Sequence, residues 1–483
     1  MQAITNFLMV VAQNINTYLS NYILIFLLVG IGLFYTIRTK FVQVRCFGEG
    51  MKRVFGNISL RGGKSSGGLS SFQALATAIA AQVGTGNIVG ACGAILVGGP
   101  GAIFWMWLIA FFGMATIYAE ATLAQETKVV GEDGSVQGGP VYYIRQAFKG
   151  KFGKFLAGFF AVATILALGF MGSMVESNSI ASAINTAIPA IPLWAVGIVL
   201  AVICAIIFIG GIQRIASVAE KIVPIMAIIY LVIGFIFLGF NITKVPQSFA
   251  LIFKYAFDAD AIIGGGVGAI IVAMTQGAKR GLFSNEAGMG STPHAHAQAK
   301  VEKPHDQGVA AMIGLFIDTF VVLTITALVV ITAFYTEGGA LSTNALWAAN
   351  NKSGALTNTN LMQSAFGTLF GSTAGNILVA ICLMFFAFTT IISWNFFGKV
   401  NAEYLFGKKA TVVYSVIAVA FIFIGTVFPN ALVWELTDMF NNLMVIPNAI
   451  ALAALSGIVV KCVKVGTDAK KAKKEAKKQD SAE

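Results

Sequence analysis

Residues 71–96 read Ser71-Phe-Gln-Ala-Leu-Ala-Thr-Ala-Ile-Ala-Ala-Gln-Val-Gly-Thr-Gly-Asn-Ile-Val-Gly-Ala-Cys-Gly-Ala-Ile-Leu96, and this stretch decides how the chain folds. It is long enough to cross a bilayer, since about 20 apolar residues in a helix span the hydrocarbon layer. Its middle, however, is Gly84-Thr85-Gly86-Asn87. Each helix-interior glycine costs roughly 1 kcal/mol relative to alanine, and Thr and Asn side chains compete for backbone groups. Unwound backbone at membrane depth survives only where protein buries it or where it lines a cavity. A spanning helix that breaks halfway is therefore a candidate binding site built from two half-helix ends. Close helix packing through small residues is the alternative use of these glycines, and it leaves the polar Thr85 and Asn87 unexplained.

Hydrophobic residues make up 57% of the 483 and charged residues 11%. Such a composition excludes a soluble domain and predicts an all-α polytopic membrane protein. Cys46, Cys92, Cys204, Cys382 and Cys462 form no CxxC pair and read as small core residues, not as a disulfide framework or a metal box. The first twenty residues hold no Lys or Arg, so the charged region of a signal peptide is not expected there.

The net charge of +11 raises the question of nucleic acid, and its distribution answers it. Eleven apolar spans fall near 18–37, 70–97, 102–125, 155–182, 192–210, 217–239, 259–279, 309–334, 372–397, 411–428 and 432–460. Loops on one side then hold 29 of the 32 Lys and Arg, leaving Lys244, Lys254 and Lys352 for the other. Cytoplasmic loops carry this excess, which puts the N-terminus outside and the C-terminus inside, and no nucleic-acid partner is expected. The basic tail after Lys461 reads as a solvated or membrane-surface helix, attracted to anionic lipid by ~1 kcal/mol per charge.

With the first span set aside, ten remain, and they divide into five and five. Each half opens on an interrupted span, and each has a polar connection with an amphipathic piece, Pro140 to Phe148 and Leu356 to Phe370. That is the pattern of an inverted-topology repeat with two broken helices. The expected segments are an N-terminal helix with a basic loop (1–68), a first repeat (69–240), a second repeat (241–460) and a basic tail (461–483). Matching the depth of the first break places the second at Thr275-Gln276-Gly277. The run Gly264-Gly265-Gly266-Val267-Gly268 then serves close packing near the outer surface, since a phosphate loop would need a preceding strand. Beyond the break, Lys279 or Arg280 pairing with Glu286 would make a gate, or the two cations would serve as a topogenic anchor. His294, His296 and His305 have no partners at zinc-like spacing.

Two runs resemble a known family. Gly98-Gly99-Pro100-Gly101-Ala102-Ile103-Phe104-Trp105-Met106-Trp107-Leu108 is similar to the signature of the alanine/glycine:cation symporters, the sodium:alanine symporter family. Gly281-Leu282-Phe283-Ser284-Asn285-Glu286-Ala287-Gly288 resembles that family's other characteristic run. The resemblance implies a leucine-transporter-type fold with one extra N-terminal helix. It also implies sodium-coupled, sometimes proton-coupled, uptake of small neutral amino acids across the bacterial cytoplasmic membrane. Aligned without gaps to that fold, Gln82 to Asn87 implies a sodium held by the carbonyls of Ala80 and Val83 with Thr389 and Thr390. Read without the family, Phe104 to Trp107 is an interfacial aromatic belt.

An amino-acid zwitterion needs donors, acceptors and a shaped slot. N–H groups of Gly86, Asn87 and Ile88, beside Thr85, sit at a positive half-helix end suited to the carboxylate. Free carbonyls around Thr275, Gln276 and Gly277 would take the ammonium. The hydroxyls of Phe388-Thr389-Thr390-Ile391-Ile392-Ser393 suit sodium, although a helical Thr can also bond its own i−4 carbonyl. Asn87 and Thr275 are candidates for a second sodium. Trp394 would wall the slot and Phe170 would lid it, with core packing as the default for both. Glu120, Glu176, Asp318, Glu435 and Asp438 lie within spans, where an unpaired acid costs roughly 3 kcal/mol. Asp318, the deepest, is an ion, proton or gating candidate, while Glu120 and Glu435 either lie near span ends or pair with Lys221 and similar partners. The expected activity is secondary active symport by alternating access, with sodium as coupling ion and no enzymatic cofactor. Nothing in the sequence requires a protein partner. A non-cycling amino-acid sensor and a proton-coupled or glutamine-preferring transporter are the competing readings. No pore-lining charge ring suggests a channel, and no nucleophile–base pair suggests an enzyme.

Overall fold

The computed structural model describes residues 2–56, 69–132, 134–258 and 267–480. Apart from a short hairpin pairing Val129–Val130 with Val136–Gln137, its regular structure is helical. Among the described residues, seven helices are long and apolar enough to cross a membrane: Thr5–Arg38, Gly101–Thr127, Gly150–Ala187, Gly211–Phe240, Pro304–Phe334, Ser372–Phe406 and Ala410–Val427. Two bent pairs join them, Ser71–Gln82 with Gly86–Gly98 at 43°, and Asn430–Ala454 with Ser456–Ala469 at 63°. The expected total of eleven is reached only by adding the shorter Leu193–Ile209 and the helix Val267–Asn285. Residues 259–266, with the expected span edge at Ala261 and most of the glycine run, lie outside the described residues.

The N-terminal helix begins well before residue 18. The polar residues Gln13, Asn14, Asn16 and Thr17 separate its first turns from the apolar run, yet Asn16 bonds the Glu435 carbonyl at 2.8 Å and its carboxylate at 2.7 Å. Glu435 therefore pairs with this helix and not with Lys221.

The first break forms where it was expected. Ser70 caps the helix in a capping box with Gln73, and the helix runs to Gln82 before Val83 departs at φ −81°, ψ 82°. A Cβ on Gly84 would fall on the Thr390 hydroxyl, so only glycine lets these helices approach. The second break does not lie at Thr275-Gln276-Gly277, which is continuous helix. Gly277 is a packing site, where a Cβ would stand 2.6 Å from Trp105 Cβ and 2.7 Å from the Ala102 carbonyl. The chain leaves the helix further on, at Glu286 (φ 59°), Gly288 (φ 88°) and Gly290 (φ 81°), and resumes as the short helix Pro293–Ala297. Glycine density marks close approach as readily as unwinding, and depth counted from Ala261 started too far out.

Each broken span is preceded by an arm helix. Phe47–Phe55 lies on the start of Pro304–Phe334, where Gly50 meets Ile313 and the Val309 carbonyl. Val245–Phe257 lies on the start of Gly101–Thr127, where Gly101 meets Tyr255 and Ala256. In both halves the arm packs on the second span of the opposite half, as an inverted repeat requires. The aromatic run is largely covered by the second arm: Phe104 packs against Phe257 at 4.8 Å, and Trp105 Nε1 donates to the Ala256 carbonyl at 3.3 Å. Trp107 Nε1 donates to Thr324 at 2.9 Å.

The arm contact makes a prediction. Gly101→Leu should lower the unfolding free energy in detergent by about 1–3 kcal/mol, the usual cost of overpacking. Gly239→Leu, at a position with no neighbour within 4 Å, should leave the thermal midpoint unchanged.

Candidate functional site

At the first break the released groups find partners within the break and on a neighbouring helix. Gly84 N–H donates to Asn87 Oδ1 at 3.0 Å. Thr85 donates to Glu176 Oε2 twice, from its amide at 3.1 Å and its hydroxyl at 2.7 Å. The other carboxylate oxygen, Glu176 Oε1, is buried without a hydrogen-bond partner. Thr390 Oγ1 lies 2.9 Å from the Ala80 carbonyl across the break and 3.1 Å from the Phe386 carbonyl of its own helix. Thr389 turns away from the break, its hydroxyl on the Phe386 carbonyl and beside the Met226 sulfur.

Asn87 reaches the helix Pro304–Phe334, not Thr275. Its Nδ2 donates to Asp318 Oδ1 at 2.7 Å, and the Asp318 carboxylate also accepts from Ser284 at 3.0 Å and Thr319 at 2.8 Å. The Thr275 hydroxyl is buried without a partner. Thr275, Gln276 and Gly277 keep their main-chain groups within an intact helix, so their carbonyls are not the acceptors that the sequence suggested.

The second break is held from the other half. Gly288 N–H donates to Glu120 Oε2 at 3.2 Å and Gly290 N–H to Oε1 at 3.0 Å. Asn448 joins them, donating to Glu120 Oε1 at 2.6 Å and to the Gly288 carbonyl at 2.9 Å. Glu120 thus has no need of Lys221. Glu286 accepts from Trp394 Nε1 and, at 2.5 Å, from the Ser291 hydroxyl. The expected pairing of Lys279 or Arg280 with Glu286 is absent. Both cations instead bind Asp438: Lys279 Nζ at 3.1 Å, and Arg280 through two nitrogens at 3.1 Å each. Arg280 also stacks over the Trp434 ring at 4.3 Å. With the helix unbroken through Gly277, the cations face the last span, and Glu286 follows in a left-handed turn beyond the helix end.

The two breaks touch. A Cβ on Gly86 would stand 2.9 Å from Ser284 Cα, and Gln82 Nε2 donates to the Asn285 carbonyl at 2.7 Å. Trp394 lies against Gly172 and edge-on to Phe283 at 5.6 Å, so it does reach the junction. Phe170 does not: it stacks on Phe421 at 4.7 Å and Tyr414 at 5.7 Å, on the far side of its helix. Beyond the second break His294 and His296 take neutral partners, Asn401 and the Ser291 carbonyl for one, Gln307 for the other.

Ser284 and Asn448 were not singled out from the sequence, and Glu120 and Glu176 were noted without their partners. The usable signal was the presence of acids inside spans, each of which needed a neutral donor set to be buried.

A profile described as the sodium:alanine symporter family matches residues 5–481. The sodium/alanine symporter AgcS of Methanococcus maripaludis is 39% identical over 95% of this chain and 97% of its own. A Bacillus subtilis protein named "Probable sodium/glutamine symporter GlnT" is 39% identical over 95% of this chain and 91% of its own. The crystal structure of MhsT in complex with L-phenylalanine superposes with a TM-score of 0.57 at 14% identity, covering 83% of this chain and 99% of that one. That likeness establishes the leucine-transporter-type fold.

Glu120→Ala should strip the acceptor from the Gly288 and Gly290 amides and from Asn448. Each buried donor left unpaired costs about 1–3 kcal/mol, so a drop in thermal stability larger than that of Glu120→Gln is expected, measured on the detergent-solubilised protein.

Proposed function

The chain belongs to the sodium:alanine symporter family, and from that premise we propose that it imports alanine- or glycine-sized amino acids with sodium by alternating access. Sodium-coupled amino-acid symport is the activity of the family, and the chain is a multi-pass membrane protein, not an enzyme. The finer reading rests on one observation above the rest. Asp318 is fully buried, and the hydrogen-bond donors on its carboxylate are the neutral Asn87, Ser284 and Thr319. A carboxylate buried among neutral donors favours a cation, because unpaired charge is costly in a low-dielectric interior. Sodium between Asp318 and the Ser284 hydroxyl meets that need with oxygen ligands, while Asn87 positions the carboxylate from the first break. A second sodium lies between the Ala80 and Val83 carbonyls and the Thr390 hydroxyl.

The substrate carboxylate faces the half-helix end at Gly86, Asn87 and Ile88, beside Thr85. The open oxygen of Glu176 takes the ammonium in place of the carbonyls near Thr275. Trp394 and Phe283 fill the space a longer side chain would need, which favours alanine and glycine over glutamine. The Arg280–Asp438 pair, which joins the helix before the second break to the last span, forms a gate. One sodium moving inward yields ~2.3 kcal/mol per 100 mV before its concentration gradient is added, and ion and substrate bracing the same breaks raise each other's affinity equally. The one-sided Lys/Arg distribution supports a cytoplasmic-membrane location with the N-terminus outside and residues 69–240 and 241–460 as the two repeats. Proton coupling is the second reading, favoured by the unpartnered Glu176 oxygen.

Uptake of labelled alanine, glycine and glutamine into proteoliposomes, with and without an inward sodium gradient, tests this reading. Sodium-dependent alanine and glycine uptake is expected, with Asn87→Ala, Asp318→Asn and Thr390→Ala each raising half-saturating sodium at least tenfold. Unchanged sodium dependence in all three would overturn the site, and binding without counterflow would identify a sensor. Trp394→Phe should raise the ratio of glutamine to alanine uptake; an unchanged ratio would remove Trp394 from specificity.

A further inference from the structure

We propose that Cys46, Glu49 and His305 bind one zinc-class divalent cation where the first arm helix meets the span Pro304–Phe334. The three ligand atoms lie within 4.8 Å of one another, although they come from segments distant in sequence. No spacing rule could find them, and this corrects the expectation that the histidines lack ligand partners.

The histidine is set up as a ligand. Its ring is buried, and Nδ1 sits 2.6 Å from the Tyr118 hydroxyl, which fixes the ring's orientation. Nε2 has no hydrogen-bond partner and stands 3.4 Å from Glu49 Oε1. That distance exceeds the ~2.7–2.9 Å of a charge-assisted hydrogen bond. It matches two ligands of a common ion, since zinc bonds of about 2.0–2.3 Å in tetrahedral array put ligand atoms roughly 3.3–3.8 Å apart. A ligating imidazole whose other nitrogen is tied to a fixed partner is the usual arrangement around zinc. Gly466 of the tail helix lies directly on the ring, closing the pocket from that side.

The donor set selects the metal class. One thiolate, one carboxylate and one neutral imidazole carry two negative charges, which a divalent ion balances. Mixed sulfur, nitrogen and oxygen ligands suit zinc and disfavour calcium and magnesium. Three protein ligands leave a fourth position for water. The adjacent cation does not compete, because Arg53 is bonded to Asp306 at 2.7 Å. The role is a clasp that ties the first arm to the Pro304–Phe334 helix and holds the tail over it.

The test uses the full chain in detergent, stripped with chelator and titrated with zinc chloride alone. Wild type should retain one equivalent by elemental analysis, and Cys46→Ser and His305→Gln should bind at least tenfold more weakly. Tyr118→Phe should weaken binding roughly 10–100-fold, as loss of an outer-shell partner does. Should the variants fail to fold, wild type alone decides. Zinc should slow maleimide labelling of Cys46, read by peptide mass spectrometry, at least tenfold. Equal labelling rates, no retained zinc, or equal affinity in folded variants would overturn the site. None of these readouts depends on amino-acid uptake.

Discussion

Main-chain groups released from two helices inside the protein must all be met by a partner, and that requirement organises this molecule. Buried amides left unpaired cost about as much as a lost hydrogen bond or more, so each break recruits a side chain from outside its own span. At the first, Glu176 receives Thr85 and the Asn87 side chain receives the Gly84 amide. At the second, Glu120 receives the amides of Gly288 and Gly290. Acids that would be expensive alone become supports, because the donors they satisfy would be expensive too.

The arrangement follows the repeat. Asp318, on the second span of the second half, holds Asn87 at the break of the first half. Glu120, on the second span of the first half, holds the break of the second. Each half therefore supplies the acid that fixes the other's fracture, and Gln82 binds the Asn285 carbonyl directly between the two. With Gly86 against Ser284 as well, a displacement of one break is transmitted to the other. That coupling is what a shared ion and substrate site needs if occupancy at one end is to be felt at the other.

How much of this was legible depended on whether the relevant chemistry was local. Gly84-Thr85-Gly86-Asn87 declared itself, because two glycines flanking polar side chains inside an apolar run have no other comfortable use. The contact of Thr390 with Ala80 was implied by the resemblance to the leucine-transporter-type fold, the hydroxyls inside an apolar helix pointing only to a polar use. The second break was hidden because Gly277 looks like a breaker and is a packing residue, whereas Gly288 and Gly290 lie in a polar stretch that was expected beyond the break. Lys279 and Arg280 were paired with the wrong acid for the same reason. Moving the break past them turns them toward Asp438 on the last span. Phe170 failed differently, since which face of a helix meets the site is set by neighbours that a single hydropathy profile does not order.

The two arm helices carry the symmetry one step further and then break it. Both rest on the second span of the opposite half through a glycine that allows close approach, Gly50 against Ile313 and Gly101 against Tyr255. The second arm adds aromatic packing, with Phe253 and Phe257 around Phe104 and Trp107. Apolar contact of this kind is nondirectional and tolerates sliding. The first arm places Cys46 and Glu49 beside His305 where the second places rings. Side chains of that chemistry hold by directed bonds to an ion, whereas the second arm relies on ring packing and the Trp105–Ala256 hydrogen bond. In a protein built from inverted halves, equal arms would leave neither end of the molecule preferred as the fixed one. A directed clasp on one arm supplies that preference, and it lies on the same face as the tail helix that covers it through Gly466.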